Sequence, residues 1–297
     1  MSATASRRVA TKRVVEAQMF RRPTGAILCP RCGRLTHPDA AECLVCGLPR
    51  PGRWLWASGV SRLLRTSSFT GLVTGACIAL YILSLLLDPR SVGRSPASFD
   101  PFALFSPSNN ALWALGAAGT FPWQQGRWWS ILTATFLHGG VLHILFNVLW
   151  IRQLGPAVEA LYGASRLTIV FIGSGATGFY VSTAVGVPFT VGASAAIFGL
   201  LGAMVAYGQK RGGTFGKMVL REYGTWAVIL FVFGLMPGTR VDNWAHAGGF
   251  AAGLAAGLAL SFSDRRGETL FERALAAGLI ALTAFSFVLA VWTAFAR

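Results

Sequence analysis

Residues 167–209 read LTIVFIGSGATGFYVSTAVGVPFTVGASAAIFGLLGAMVAYGQ and contain no Asp, Glu, Lys or Arg. Of the chain's 297 residues, 54% are hydrophobic and 12% charged, whereas a soluble domain carries about 25% charged residues. An uncharged run this long needs either a very large soluble core or lipid, and bilayer spans are the better reading. Gly186 and Pro188 divide the run into two spans, 167–185 and 192–209.

Outward from that pair, the sequence predicts seven spans of about 17 to 22 residues each. The first covers 69–87 and stops at Asp88-Pro89. The second ends near Leu154, with a start either at Trp128 or after Gly139-Gly140. The remaining three cover 223–236, closed by Pro237-Gly238, then 243–262 and 274–295. Of the 26 Lys and Arg residues, 21 fall on the side of the N-terminus and 5 on the other. Basic loops stay cytoplasmic, so the N-terminus is expected inside and the C-terminus outside. The net charge of +15 sits at the ends of apolar segments, without the basic stripe and interleaved aromatics of a nucleic-acid binder, so no nucleic-acid partner is expected.

No cleavable signal peptide is expected ahead of Phe69. Residues 1–25 are Arg-rich and poor in acids, a composition shared by transit peptides and disordered basic tails. Next come Cys29-Pro-Arg-Cys32-Gly and Cys43-Leu-Val-Cys46-Gly. Two such knuckles offer four thiolates to one tetrahedral ion, with no position left open, so the site is structural. Zinc is the default; rubredoxin-like iron uses similar knuckles, and paired disulfides are the other option. Thiolates imply a reducing compartment, in agreement with the charge argument. His37 reads as a solvated spacer residue and Cys77 as packing within an apolar helix. The expected organisation is a basic tail 1–25, a zinc-ribbon-like cytoplasmic module 26–52 with unknown partner, a linker 53–68, a transmembrane core 69–262, and a loop with the seventh helix 263–297.

Polar groups in hydrocarbon are costly and usually functional. Ser194 opens the fourth span in Gly192-Ala193-Ser194-Ala195. A serine there serves as an N-cap or as a nucleophile facing free backbone N–H groups. His246, in Ala245-His246-Ala247-Gly248-Gly249, serves as an interhelical hydrogen bond or as a general base. Gly249, Gly253 and Gly257 form a small-residue stripe that allows the sixth span to approach the fourth. His143 and Asn147, four apart, share a helix face; they offer two donors to one point, or a metal or proton-relay pair.

These residues occur in patterns that resemble the rhomboid intramembrane serine proteases over 128–262. HxxxxHxxxN reads as His138, His143 and Asn147; GxxxExxxG as Gly155, Glu159 and Gly163; GxSG is approximated by Gly192 to Ala195, and AHxxG by Ala245 to Gly249. The resemblance implies a six-helix bundle plus a seventh C-terminal helix. It implies Ser194 as nucleophile and His246 as base, with no carboxylate and no catalytic cofactor. His143, Asn147 and the Ser194 N–H would form the oxyanion hole, with His138 and Gly192 in support. Glu159 would be a cytoplasmic-side structural tie between the first external loop and neighbouring helices, or the end of the third span. Implied substrates are single-pass membrane proteins cut near the outer surface, where helix-breaking residues expose carbonyls. Two departures stand out: Ala195 replaces the family's Gly, adding a methyl beside the nucleophile, and Trp129-Ser130 replaces a Trp-Arg pair, with Arg127 nearby.

Water must reach such a site. The loop 88–137, rich in Trp and Phe, is expected in the outer interface, with the fifth span and Pro237-Gly238 as gate elements. Competing readings are a non-cleaving rhomboid-like protein that binds transmembrane clients, and a transporter, which would show inverted repeats or acidic residues within its spans.

Overall fold

The computed structural model describes residues 27–28, 35–37, 40–50, 68–89, 104–260, 262 and 266–295. Two units are separable, Met1–Arg65 and Thr66–Arg297. In the first, β1 (Ile27–Leu28) pairs antiparallel with β2 (Leu35–Thr36). The basic tail, Cys29, Cys32 and most of the linker lie outside the described residues.

The second unit is helical. After α1 (Ser68–Leu87), the long first loop carries α2 (Asn109–Leu115), α3 (Thr120–Gln124), α4 (Ser130–Thr133) and a 3-10 turn, Ala134–Phe136. Six long helices follow: α5 (Val141–Tyr162), α6 (Ala164–Ala184), α7 (Ser194–Arg211), α8 (Gly213–Gly234), α9 (Asn243–Ala259) and α10 (Leu270–Phe295). By length and composition α1, α5, α6 and α10 are each apolar enough to cross a membrane. The chain is therefore an all-helical polytopic membrane protein in its main unit.

Several boundaries differ from expectation, among them the start of the last helix at Leu270 rather than 274. The second long helix begins after Gly139-Gly140, one of the two starts left open, but it continues through Gly155-Pro156 to Tyr162 rather than ending near Leu154. Its buried positions Ile151, Leu154, Gly155, Val158 and Tyr162 keep the helical spacing across the proline, and Gly155 lies against the Thr70 side chain of α1. Tertiary packing thus outweighs the lost hydrogen bond of the proline. The third helix begins at Ala164, three residues before the first uncharged position. The fifth begins at Gly213, because Lys217, Arg221 and Glu222 occupy an exposed face of its first turns.

The core is α7: every residue from Ala195 to Gly208 is buried. It is enclosed by α9, α6 and α8. The small-residue stripe behaves as expected. A Cβ on Gly249 would lie 2.9 Å from the Ala195 carbonyl carbon, and one on Gly257 would lie 2.9 Å from the Ala203 Cα. Backbone therefore meets backbone between α7 and α9, which only glycine permits. The seventh long helix, α10, packs on α6 and on the loop helices α2 and α4, with Phe287 edge-on to Phe136 at 5.8 Å.

Candidate active site

The approach to Ser194 is held from the first loop. Ala118 and Thr190 exchange backbone hydrogen bonds of 3.1 and 2.8 Å, the Thr120 N–H donates to the Val187 carbonyl at 2.8 Å, and the Gly192 N–H donates to the Ala134 carbonyl at 3.0 Å. Arg127 secures the loop itself. Its guanidinium lies between Trp113 and Trp129, 4.4 and 4.8 Å from their ring centroids, and donates to the Trp113 carbonyl at 2.7 Å. An arginine two positions before Trp129 therefore pins this loop, although Ser130 follows that Trp.

Ser194 is the first helical residue of α7; the N-cap is Ala193, which offers no side chain to the free N–H groups. The serine hydroxyl is therefore not a cap. It lies 2.8 Å from His246 Nε2, from a helix 52 residues away in sequence. Phe198, one turn after Ser194, stacks on the imidazole at 4.2 Å and 17°. His246 is buried, and its Nδ1 has no hydrogen-bond partner among the described residues. Asp242, one turn before it, is occupied elsewhere: one oxygen caps α9 through the Ala245 N–H at 3.0 Å, and the other accepts from the Ser182 hydroxyl.

The third group arrives from α5. A Cβ on Gly192 would sit 2.6 Å from His143 Nε2 and 3.8 Å from Ser194 Oγ, so this imidazole lies against the turn that carries Ser194. His143 Nδ1 accepts the Gly139 N–H at 3.3 Å. A neutral ring with an accepting Nδ1 carries its proton on Nε2, so the nitrogen against Gly192 is a donor. His138 meets His143 edge-on at 5.1 Å and is fully buried. Asn147 is buried one turn beyond His143; its amide nitrogen donates to the His143 carbonyl at 2.7 Å, and Oδ1 has no partner among the described residues. No hydrogen bond joins Asn147 to Ser194 among the described residues.

Two further expectations concern Ala195 and Glu159. The Ala195 methyl packs against α6. Ala195 is fully buried, and a Cβ on Gly178 of α6 would approach its Cβ to 2.9 Å, so the methyl fills the groove that Gly178 leaves open. Glu159 lies on α5 and, among the described residues, makes no ion pair or side-chain hydrogen bond. A tie at the start of α6 is Arg166. Fully buried, it forms a two-pronged ion pair with Glu272 at 2.8 and 2.9 Å and donates to the carbonyls of Tyr162, Arg266 and Gly267. Beside it, Glu268 accepts from the Ser165 N–H and hydroxyl at 2.7 and 2.8 Å. Sequence reasoning missed Phe198, Asp242 and Arg166 as site or scaffold residues. The i, i+4 spacing of Ser194 and Phe198 was a usable signal, and so was the Asp at the head of the sixth span.

The family model for the rhomboid domain matches residues 125–263, an interval that holds Arg127, His138, His143, Asn147, Ser194 and His246. Over 230 residues the chain is 31% identical to RHOMBOID-like protein 5 of Arabidopsis thaliana, covering 71% of each protein. The chain belongs to the rhomboid family. It is also 34% identical over 188 residues to Rhomboid protease GluP of Bacillus subtilis, 62% of this chain but only 36% of that relative. With Rhomboid protease GlpG of an Enterobacter species the identity is 30% over 202 residues, 67% of this chain and 64% of the relative. Both of these relatives are named as proteases, and the chain spans 36% and 64% of their lengths.

Proposed function

We propose that this rhomboid is an active serine endopeptidase that cuts transmembrane segments of single-pass membrane proteins near the extracytoplasmic face, using Ser194 and His246. The observation that carries the reading is the 2.8 Å separation between Ser194 Oγ and His246 Nε2 across two helices, a distance at which a base takes a hydroxyl proton. His246 Nε2 removes that proton as Oγ attacks the scissile carbonyl carbon. The developing oxyanion is held by the uncapped N–H groups that open α7, by Nε2–H of His143 and by the amide of Asn147. Collapse breaks the C–N bond, and the imidazolium gives its proton to the leaving amine. Water then attacks the acyl-serine, loses its proton to His246, and releases the acid while Ser194 regains its hydrogen.

In this reading the N-terminus is cytoplasmic and the C-terminus extracytoplasmic, in accord with the Lys and Arg distribution. Substrate enters sideways between α5 and α8. Trp150 and Trp226 meet edge-on there at 5.2 Å, whereas α8 is otherwise packed chiefly on α7. The test is co-expression with a panel of single-pass substrates, comparing the wild type with Ser194→Ala and His246→Ala. Cleavage in the wild type and its loss in both variants is expected, as is labelling of Ser194 by a fluorophosphonate. Cleavage that survives either substitution overturns the dyad; binding of clients without cleavage by the wild type supports the non-cleaving alternative.

A further inference from the structure

The last helix, α10, is fixed at its start by charge. Glu272 is held from α6 by the two-pronged ion pair with Arg166. It is also held by its own helix: the Thr269 N–H donates to Glu272 Oε2 at 2.7 Å, and the Glu272 N–H donates to Thr269 Oγ1 at 3.2 Å. This reciprocal cap and the ion pair together set where α10 begins against α6.

The face that α10 turns to the protein is made of small residues. Ala276, Thr283, Ser286 and Ala290 are buried, and their spacings of seven, three and four place them on one side of the helix. The Thr283 and Ser286 hydroxyls donate to the Leu279 and Leu282 carbonyls of α10 itself, both at 2.8 Å. Such a face allows close packing along α6. Phe287 is the exception. It is half-buried, and its ring meets Phe136 edge-on at 5.8 Å, whereas Phe271, Phe285 and Trp292 of the same helix are exposed.

Phe136 ends the 3-10 turn Ala134–Phe136, which touches both sides of the site. The Ala134 carbonyl accepts the Gly192 N–H at 3.0 Å and the Leu137 N–H at 3.2 Å. One oxygen therefore joins the backbone just before Ser194 to the backbone that leads into His138 and His143. Thr135 seats the turn on α6, where a Cβ on Gly175 would lie 2.9 Å from its Oγ1. Phe136 meets Phe171 of α6 at 6.5 Å as well as Phe287 of α10.

We infer that α10 is a strut for the oxyanion side of the site, with Phe287 as a positioning residue that acts through Phe136 on the Ala134–Gly192 hydrogen bond. The kinetic consequence rests on the protease reading above; the structural coupling does not. Anchored at Glu272, the helix runs fifteen positions to Phe287, about 22 Å, and so delivers that ring at one depth. Removing the ring takes away one partner of Phe136 and lets the turn shift. Ser194 and His246, bonded directly between α7 and α9, keep their contact. The loss then falls on the donors to the oxyanion, which act in the transition state, and not on substrate binding.

The test uses the full chain in detergent, with kcat and KM measured on a fluorogenic transmembrane substrate and the active fraction counted by exhaustive fluorophosphonate labelling. Phe287→Ala should lower kcat by about tenfold, inside the roughly hundredfold that an ångström of misplacement can cost, with KM within about twofold of wild type. Phe285→Ala, which removes a ring from the exposed side of the same helix, should leave kcat unchanged. Phe136→Ala combined with Phe287→Ala should be no worse than Phe136→Ala alone. Hydrogen exchange reads the coupling without substrate: the Leu137 and Gly192 amides should exchange faster in Phe287→Ala than in wild type or Phe285→Ala. If Phe287→Ala fails to accumulate, Phe287→Leu replaces it, keeping bulk but no flat ring. A kcat within about twofold of wild type, an equal loss in Phe285→Ala, losses that multiply with Phe136→Ala, or unchanged exchange at Gly192 would overturn the inference. A wild type that neither cleaves nor labels defeats the protease reading instead, and exchange at Gly192 still decides this one.

Discussion

Gly192→Ala isolates the contribution of His143. The backbone there has φ of +135°, and the new methyl would lie 2.6 Å from Nε2 and 2.8 Å from Cε1 of His143. A non-glycine residue in such a conformation costs of order 1–3 kcal/mol, which lowers thermal stability. The steric conflict falls on the imidazole and not on the nucleophile, because the methyl stands 3.8 Å from Ser194 Oγ, an ordinary contact. His143 must move, and one oxyanion donor is forfeited, worth about 2.7–4 kcal/mol or 10²–10³ in kcat. The assay is cleavage of a fluorogenic transmembrane substrate in detergent, with kcat and KM separated. His143→Ala alone should give a fall of the same size. The double variant should be no worse than either single one, because the methyl then enters space that the imidazole has left. A Gly192→Ala enzyme within threefold of wild type, or a double variant whose losses multiply, would refute the assignment of His143 to the oxyanion.

Ala195→Gly should leave kcat within about twofold of wild type while lowering stability by about 1 kcal/mol, since its methyl packs against Gly178 and not beside Ser194; differential scanning fluorimetry and the same cleavage assay check both. Arg166→Met should destabilise by about 3–5 kcal/mol, read as a lower unfolding midpoint in detergent, because it strands the Glu272 carboxylate and three carbonyls; an unchanged midpoint counts against a bracing role for this cluster. Trp226→Ala removes an edge-on aromatic contact worth about 0.5–1.5 kcal/mol. If opening between α5 and α8 limits turnover, cleavage should rise about two- to tenfold, and a disulfide across the same gap should abolish it reversibly. Asp242→Ala should cost about 0.5–2 kcal/mol as a lost helix cap and reduce kcat by displacing His246, with Asp242→Asn recovering most of both.

Much of this arrangement was legible in the residues because hydrocarbon leaves so few explanations for polar side chains. Ser194, His143 and His246 stood out against uncharged surroundings, and the Gly249–Gly253–Gly257 spacing named the pair of helices that must touch. Gly139-Gly140 marked the start of α5. What escaped was packing that carries no local signal. Gly155-Pro156 reads as a terminator, yet α1 and the buried face through Tyr162 carry the helix past it. Ala195 reads as an obstruction until the groove at Gly178, seventeen positions earlier, is seen to receive its methyl. Arg166 reads as one more cytoplasmic charge, and only the fold brings Glu272 to it from the head of the last helix. Arg127 reads as misplaced for its motif, and the two indoles around it appear only in three dimensions.

The proposed dyad works without a third carboxylate, and the same geometry gives a physical reason. Between Trp128 and Phe262 the acidic residues are Glu159, Glu222 and Asp242, and only Asp242 lies near His246. Both of its oxygens are engaged, by the Ala245 N–H and the Ser182 hydroxyl, so it fixes where α9 begins and not how the imidazole is turned. Ring orientation falls instead to the face of Phe198, stacked at 17°, and to the close α7–α9 approach that the glycines permit. A carboxylate holds a histidine by a directional bond and stabilises the imidazolium by its charge; a stacked ring supplies the direction and little of the charge. The site therefore depends on rigid packing for alignment. A Phe198→Leu enzyme, similar in hydrophobicity but without the flat face, should lose more in kcat than in KM.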